Sequence, residues 1–262
     1  MAALAVPSSA ASAASVPLPD SMAAVGDSIT QAFDVNPAGI FQDSPDYSWA
    51  TGTSTSVDSE YQRILEADPA IQGHEYNDSV AGAMMADLDG QVKTAAAQGV
   101  QYLTVEIGAD DLCVWSVGDM TPTATFESEF HKALTDFTAA DPGAHIFVAS
   151  IPNIYQVWAD ENSNFVAELA WNILLPLCPD MLDVAATSAQ QQQIVQQEQA
   201  YNQVLGQVCG QFSQCLFDND AVYNVNLTPA DISSVDYFHP SVTGQNELAS
   251  VAWSAGFWPG TP

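Results

Sequence analysis

Five short strand candidates, each ended near a glycine, proline or aspartate and mostly separated by stretches of helical periodicity, constrain the fold of this chain more than any other feature. The runs are Met22 to Val25, Glu75 to Val80, Val100 to Ile107, His145 to Ile151, and a last one offered by Leu216-Phe217 with Ala221 to Val225. Val100 to Ile107 is rich in β-branched and aromatic residues, as buried strands are. Between them, Asp58 to Ala67 places Tyr61, Ile64 and Leu65 on one helical face and ends at Asp68-Pro69. Met84 to Ala97 reads as a helix stopped by Gly99, and a third helix starts at Thr121-Pro122 and runs to about Ala140. Asn162 to Leu177, with Trp171 and Pro176, reads as helical and partly lid-like. Ser188 to Gln211 keeps Ile194, Val195, Tyr201, Val204, Leu205 and Val208 at helical spacing through a Gln-rich run, and a final helix follows His239-Pro240-Ser241 to about Trp253. Strands alternating with helices predict an α/β fold: three α/β/α layers around a central parallel sheet of about five strands.

At 262 residues and 47% hydrophobic content, one sizeable domain with a buried core is expected over residues 21–262. Residues 1–20 are Ala/Ser/Pro-rich without a basic start, and read as a flexible leader or the remnant of a signal or propeptide. No apolar run approaches the roughly 20 residues that span a bilayer, so no transmembrane segment is expected. The polar stretch from Asn36 to Ser56 is long for a connector. Its Phe41, Tyr47 and Trp49 could line a substrate mouth or form a small core beneath the loop.

The 32 acidic residues are an ordinary number for this length, but Arg63, Lys93 and Lys132 are the only strong bases, and the formal net charge is −29. Missing bases, not added acids, create the imbalance. Carboxylates without partners repel one another and hold their folded-state pKa values above the unfolded reference near 4. The native state then binds more protons than the unfolded chain, so stability should fall as pH rises above that value. An acid-adapted, secreted protein fits this balance, and a genomic bias or an engineered surface is the plain alternative. Nucleic acid is excluded as a partner, since nothing could neutralise its phosphates.

Four cysteines, Cys113, Cys178, Cys209 and Cys215, fit two disulfides in a secreted chain, with three pairings open. Cys209 and Cys215 flank a short Gly-containing segment and form the favoured local pair. Cys113 with Cys178 would close a longer loop, contributing about 4 kcal/mol against about 2.5 for the short one. Zinc is the competing reading, but no CxxC or HxxxH spacing supports it.

Four polar loops follow candidate strands: Gly26-Asp27-Ser28, Ala81-Gly82, Gly108-Ala109-Asp110-Asp111, and Asp236 to His239. In a parallel sheet such loops gather at one edge. A serine there is a weak nucleophile until a base takes its proton, and Asp236 with His239, three positions apart, can supply an oriented imidazole. Asp236 as a helix-start cap and His239 as a buried hydrogen-bonding histidine are the structural alternatives.

In this order the four segments resemble the blocks of the SGNH hydrolase (GDSL-type esterase/lipase) family, in the manner of its secreted actinobacterial-type members. GDSIT looks like the nucleophile block, AGA the glycine block, GADD the block usually written G-x-N-D, and DYFHP the D-x-x-H block. The resemblance spans roughly Met22 to Trp253 and implies an SGNH/flavodoxin-like fold. It also implies Ser28 as nucleophile, His239 as general base and Asp236 as the residue that fixes its tautomer. The oxyanion hole would use the backbone N–H groups of Ser28 and Gly82 and the side chain at position 110. Asp27 and Asp111 are assigned to substrate binding. No metal and no cofactor are implied, and a monomer acting on a small-molecule, lipid or carbohydrate ester is expected.

The departure is at 110, where the family has asparagine and this chain has Asp110. An ionised carboxylate would oppose the charge it should stabilise, and losing one oxyanion donor costs about 10²–10³ in turnover. A protonated Asp110 can donate, which predicts activity on the acid side. The reading is therefore an acid-adapted ester hydrolase working through a Ser28 acyl-enzyme. A carbohydrate acetylesterase of the same fold, or a non-catalytic binding protein that lost its donor, are the alternatives.

Overall fold

The computed structural model describes residues 16–35, 39–174 and 177–260. Most of the expected leader, together with Asn36 and Pro176, lies outside the described residues. β1 (Met22–Gly26), β2 (Glu75–Asn77), β3 (Tyr102–Glu106), β4 (His145–Val148) and β5 (Cys215–Phe217) form one parallel sheet in the order β2-β1-β3-β4-β5. β1 and β3 are buried along their whole length, which is why they read as nearly unbroken apolar runs. The edge strands β2 and β5 have only three residues each and stay half-buried.

Nine α-helices are formed among the described residues: α1 (Glu60–Ala67), α2 (Leu88–Gln98), α3 (Ala109–Leu112), α4 (Thr123–Ala140), α5 (Ile154–Glu161), α6 (Phe165–Leu169), α7 (Pro179–Leu182), α8 (Ser188–Cys209) and α9 (Val242–Ala255). The chain runs from β1 to β2 in one direction, then crosses back over β1 to β3 and continues to β4 and β5. Right-handed crossovers therefore put α1 on one face and α2, α4 and α8 on the other. The packing agrees: α2 lies on α4 and α4 on α8, while α1 contacts α9. The direction reverses between β1 and β3, and a crevice opens there at the strands' carboxyl ends.

Local chemistry explains the element ends. Ser59 caps α1 by accepting from the Gln62 amide at 3.1 Å, and Asp68 terminates it. Thr187 and Gln190 form a reciprocal capping box at the start of α8. Ile194, Tyr201, Val204, Leu205 and Val208 face inward along α8, so the glutamine run is one side of a packed helix.

Three expectations need correction, and one open choice is decided. The final strand is only Cys215–Phe217, because Ala221 to Val225 turns around the Asp218 carboxylate, which accepts from the Asp220 and Val222 amides. α4 starts at Thr123 with Pro122 at its cap, leaving Thr121 outside. Asn162 to Leu177 is not one helix but α6, capped by Asn164, and a π-helical turn over Ala170–Leu174, while α5, capped by Asn153, forms ahead of it where no helix was expected. In the long connector, Trp49 is core, with its indole donating to Thr30 Oγ1, whereas Phe41 is exposed.

Candidate active site

β1 ends at Gly26 with φ +148°, and its register partner across β3 is Glu106. A Cβ at position 26 would lie 1.9 Å from the Glu106 carbonyl oxygen, so only glycine lets the strands pack this closely before the chain turns. The Asp27 carboxylate then accepts from the Ile29 amide at 2.9 Å and closes the turn that carries Ser28. α9 braces it from the far end of the chain. Gln245 donates to the Ile29 carbonyl at 2.8 Å and accepts from the Trp49 amide at 2.8 Å.

The imidazole arrives on the loop before α9. One oxygen of Asp236 accepts from the amides of Phe238 and His239 at 2.9 and 3.1 Å, and Tyr237 between them takes a left-handed φ of 58°. Ser233 ties this loop to its surroundings, its amide donating to the His239 carbonyl and its hydroxyl to the Asp34 carbonyl. The Trp171 indole donates to the Tyr237 carbonyl at 3.2 Å.

These supports bring together groups that are 211 positions apart. His239 Nε2 lies 2.7 Å from Ser28 Oγ, and His239 Nδ1 lies 2.5 Å from Asp236 Oδ2. With a carboxylate on Nδ1, the proton sits there and Nε2 is free to accept from the serine hydroxyl. Burial pulls the His239 imidazolium pKa down, but Asp236, Asp27 and Asp110 outweigh it and the net displacement is upward. Asp236 is fully buried and His239 nearly so.

Ser28, Gly82, Asp110 and His239 line one cavity of about 220 Å³. Its remaining wall is mainly apolar: Phe33, Phe238, Leu177, and both cysteines of the Cys113–Cys178 disulfide. The second disulfide joins Cys209 to Cys215, so the pairing is the favoured one of the three. A larger groove of about 530 Å³ beside α8 and β5 joins no nucleophile to a base.

Asp110 stands in the first turn of α3, just after Gly108. A Cβ at Gly108 would lie 2.6 Å from the Ile151 side chain, so this turn too depends on a missing side chain. Burial raises the Asp110 carboxyl pKa, the imidazole of His239 opposes this, and Asp87 adds to it. Asp27 and Asp111, expected to contact substrate, are both fully buried and neither lines the cavity. Asp111 accepts from the Met85 amide at 2.8 Å and so steadies the segment after Gly82, with burial pushing its pKa to about 6. Asp27 belongs to the turn itself, and burial together with Asp110 pushes it to about 8. Sequence reasoning passed over Gln245 and Ser233 and gave Trp171 no part in the site, because each lies outside the four blocks.

Among the described residues, no group of three or more His, Cys, Asp or Glu side chains is placed to hold a metal ion, and no helix is long and apolar enough to cross a membrane. The model of the GDSL-like Lipase/Acylhydrolase family matches residues 24–246. A search of curated proteins found no match. Among solved structures, the chain is similar to an extracellular lipase from Streptomyces rimosus, at 16% identity over 90% of this chain and 99% of that one, with a TM-score of 0.54. It is also similar to phospholipase A1 from Streptomyces albidoflavus NA297, at 15% identity over 90% and 99%, TM-score 0.54. A family 3 carbohydrate esterase from Clostridium thermocellum matches at 12% identity over 89% and 93%, TM-score 0.52. At these identities the likeness is one of fold.

Proposed function

The chain belongs to the GDSL-like lipase/acylhydrolase family, and from that premise we propose that it is a secreted serine ester hydrolase with its activity on the acid side. The observation that carries the reading is the relay Ser28–His239–Asp236, at 2.7 and 2.5 Å. Ser28 Oγ attacks the ester carbonyl carbon as its proton passes to His239 Nε2, and Asp236 stabilises the imidazolium that forms. The tetrahedral intermediate collapses, the C–O bond to the alcohol breaks, and the alcohol leaves with the proton from His239. Water, deprotonated by His239, then hydrolyses the Ser28 acyl-enzyme. The oxyanion is met by the Ser28 and Gly82 amides and by a neutral Asp110 donating its carboxyl proton.

This assignment makes the pH profile narrow. The active form needs a neutral imidazole and a protonated Asp110, and it competes with the form of equal charge that has imidazolium and aspartate. The two groups titrate as a pair, and the rate follows a bell. Secretion is supported by the two disulfides, and acid adaptation by the scarcity of bases and the many raised carboxyls.

The test is labelling of Ser28 by a fluorophosphonate between pH 4 and 7, followed by turnover of p-nitrophenyl esters from acetate to palmitate. Labelling lost in Ser28→Ala, with its turnover, is the expected result. No label at any pH would make the protein a binder instead of an enzyme.

A further inference from the structure

The cavity that holds Ser28 and His239 has a wall with no part in the proposed proton transfers. Phe33 and Phe238 pack against the imidazole, their ring centroids 5.1 and 5.0 Å from that of His239. In the proposed reaction the alcohol leaves with the proton from His239, so these two rings border the alcohol portion. The rest of the bulky apolar lining is Leu177 with both cysteines of the Cys113–Cys178 disulfide. Cys113 closes the C-terminal end of α3, whose first turn carries Asp110, so this wall adjoins the oxyanion turn.

The wall is held in place twice. The disulfide joins positions 65 apart in the chain. Away from the cavity, Asp180 in α7 accepts from the Val117 amide at 2.7 Å and from the Gln190 side chain at 2.6 Å. The Cys178 carbonyl accepts from the amides of Met181 and Leu182, both core residues, at 2.9 Å. Sulfur and Asp180 thus tie the segment after α3 to the segment that starts α7. The space they enclose is small. About 220 Å³ falls below the roughly 300–1,000 Å³ of sites that surround drug-sized ligands, and the ester group and the start of the alcohol must share it.

We infer that Leu177 and the Cys113–Cys178 disulfide form the acyl-binding wall and restrict the enzyme to esters of short acids, acetyl to butyryl, instead of long-chain lipids. The inference rests on the hydrolase reading above and narrows its substrate class. A longer chain must either displace a covalently closed wall or leave its methylenes in water, where they add nothing to transition-state binding. One methylene gained or lost in an apolar pocket changes specificity by roughly 10- to 200-fold, so a wall of this kind is enough to decide the class.

The experiment measures kcat/KM for p-nitrophenyl esters from acetate to palmitate, at the pH where Ser28 labels best. It uses the wild-type full chain, Leu177→Ala, Leu177→Phe, and Cys113→Ala combined with Cys178→Ala. Wild-type kcat/KM should fall by at least about 10-fold from butyrate to octanoate. Leu177→Ala and the double cysteine variant should each raise the octanoate-to-acetate ratio by about 10-fold or more, and Leu177→Phe should lower the butyrate-to-acetate ratio. The ratio is the readout because a general loosening of the fold lowers all esters together. A second series, alkyl acetates from methyl to octyl, holds the acyl group fixed and lengthens the alcohol.

Octanoate turned over by wild type as well as acetate would overturn the inference. Acyl-length ratios that no variant moves would do the same, as would shifts confined to the alcohol series. If the double cysteine variant does not fold, the two Leu177 variants still decide. Failure of the hydrolase reading looks different, since wild-type protein would then show no label at Ser28. In that case the fit is read from the rise in Tm given by methyl esters from acetate to octanoate, and a rise that keeps growing past butyrate rejects the short wall.

Discussion

Carboxylates meet opposite fates in two regions of this molecule. On the surface between α2 and α4, Asp89 and Asp136 share Lys93 and Lys132 in four ion pairs of 2.5 to 3.0 Å, and the lysine hydrogen bonds hold the Asp136 pKa below the usual carboxylate range. At the carboxyl end of β1 and β3, Asp27, Glu106 and Asp110 lie within electrostatic reach of one another, with no lysine or arginine among the charges that shift them, and burial drives all three pKa values upward. The signs differ. The surface group contributes stability above the unfolded pKa and loses it as pH falls, whereas the buried groups contribute fully below the unfolded pKa and lose it as pH rises through their folded values. Solvent screens the exposed quartet, so the buried set governs. Glu60, pushed by burial to about 7, and Glu198, pushed to about 8, extend that set beyond the active site. The missing bases matter most where no solvent can stand in for them.

The sharpest way to break this contrast is to change a buried carboxyl whose charge the mechanism needs. Asp236→Asn keeps the shape but favours the wrong His239 tautomer, and kcat should fall by about 10⁴ with folding preserved, read from turnover and circular dichroism. A retained kcat would strip Asp236 of its assigned part. Asp110→Asn acts the other way. It supplies an amide donor at every pH, so activity should extend toward neutral pH, rising there by up to about 10². An unmoved pH profile rejects a protonated Asp110 as donor.

Stability gives a smaller effect. Wild-type Tm should decline from pH 4 to pH 8, each fully raised carboxyl costing about 1.4 kcal/mol per pH unit within its own window. Glu198→Gln, which removes a carboxyl with one orphaned oxygen, should flatten the decline toward pH 8, as a melting series would show. A Tm higher at pH 7 than at pH 4 would reverse the sign assigned to the whole set. The smallest effect belongs to the surface. Replacing Lys93 and Lys132 together by alanine removes two of the three strong bases, yet the loss in Tm should be slight and should vanish in high salt. A large, salt-resistant loss would mean that the quartet, not the buried cluster, dominates.

What could be read from the sequence was local in origin. The alternation of apolar runs and helical faces specified an α/β sheet, since periodicity and breaker residues act within a few positions of the chain. The four blocks pointed to Ser28, Gly82, Asp110, Asp236 and His239 because loops after parallel strands must share an edge. The pairing of Cys209 with Cys215 was legible from their closeness in the chain.

Tertiary structure alone decided the rest. Asp27 and Asp111 are neighbours of residues that line the cavity, yet both point into the protein, since adjacent positions in a tight turn face different ways. Ala221 to Val225 has the composition of a strand but turns around Asp218, whose two amide contacts outweigh propensity. Gln245, 216 positions from the Ile29 carbonyl it holds, looked like any polar residue on a helix. Asp110 could be named from its motif, but its protonation depends on burial and on Asp87 and His239, supplied by distant segments. A pattern along the chain fixes which faces are apolar; only packing sets which charges are left without water or a partner.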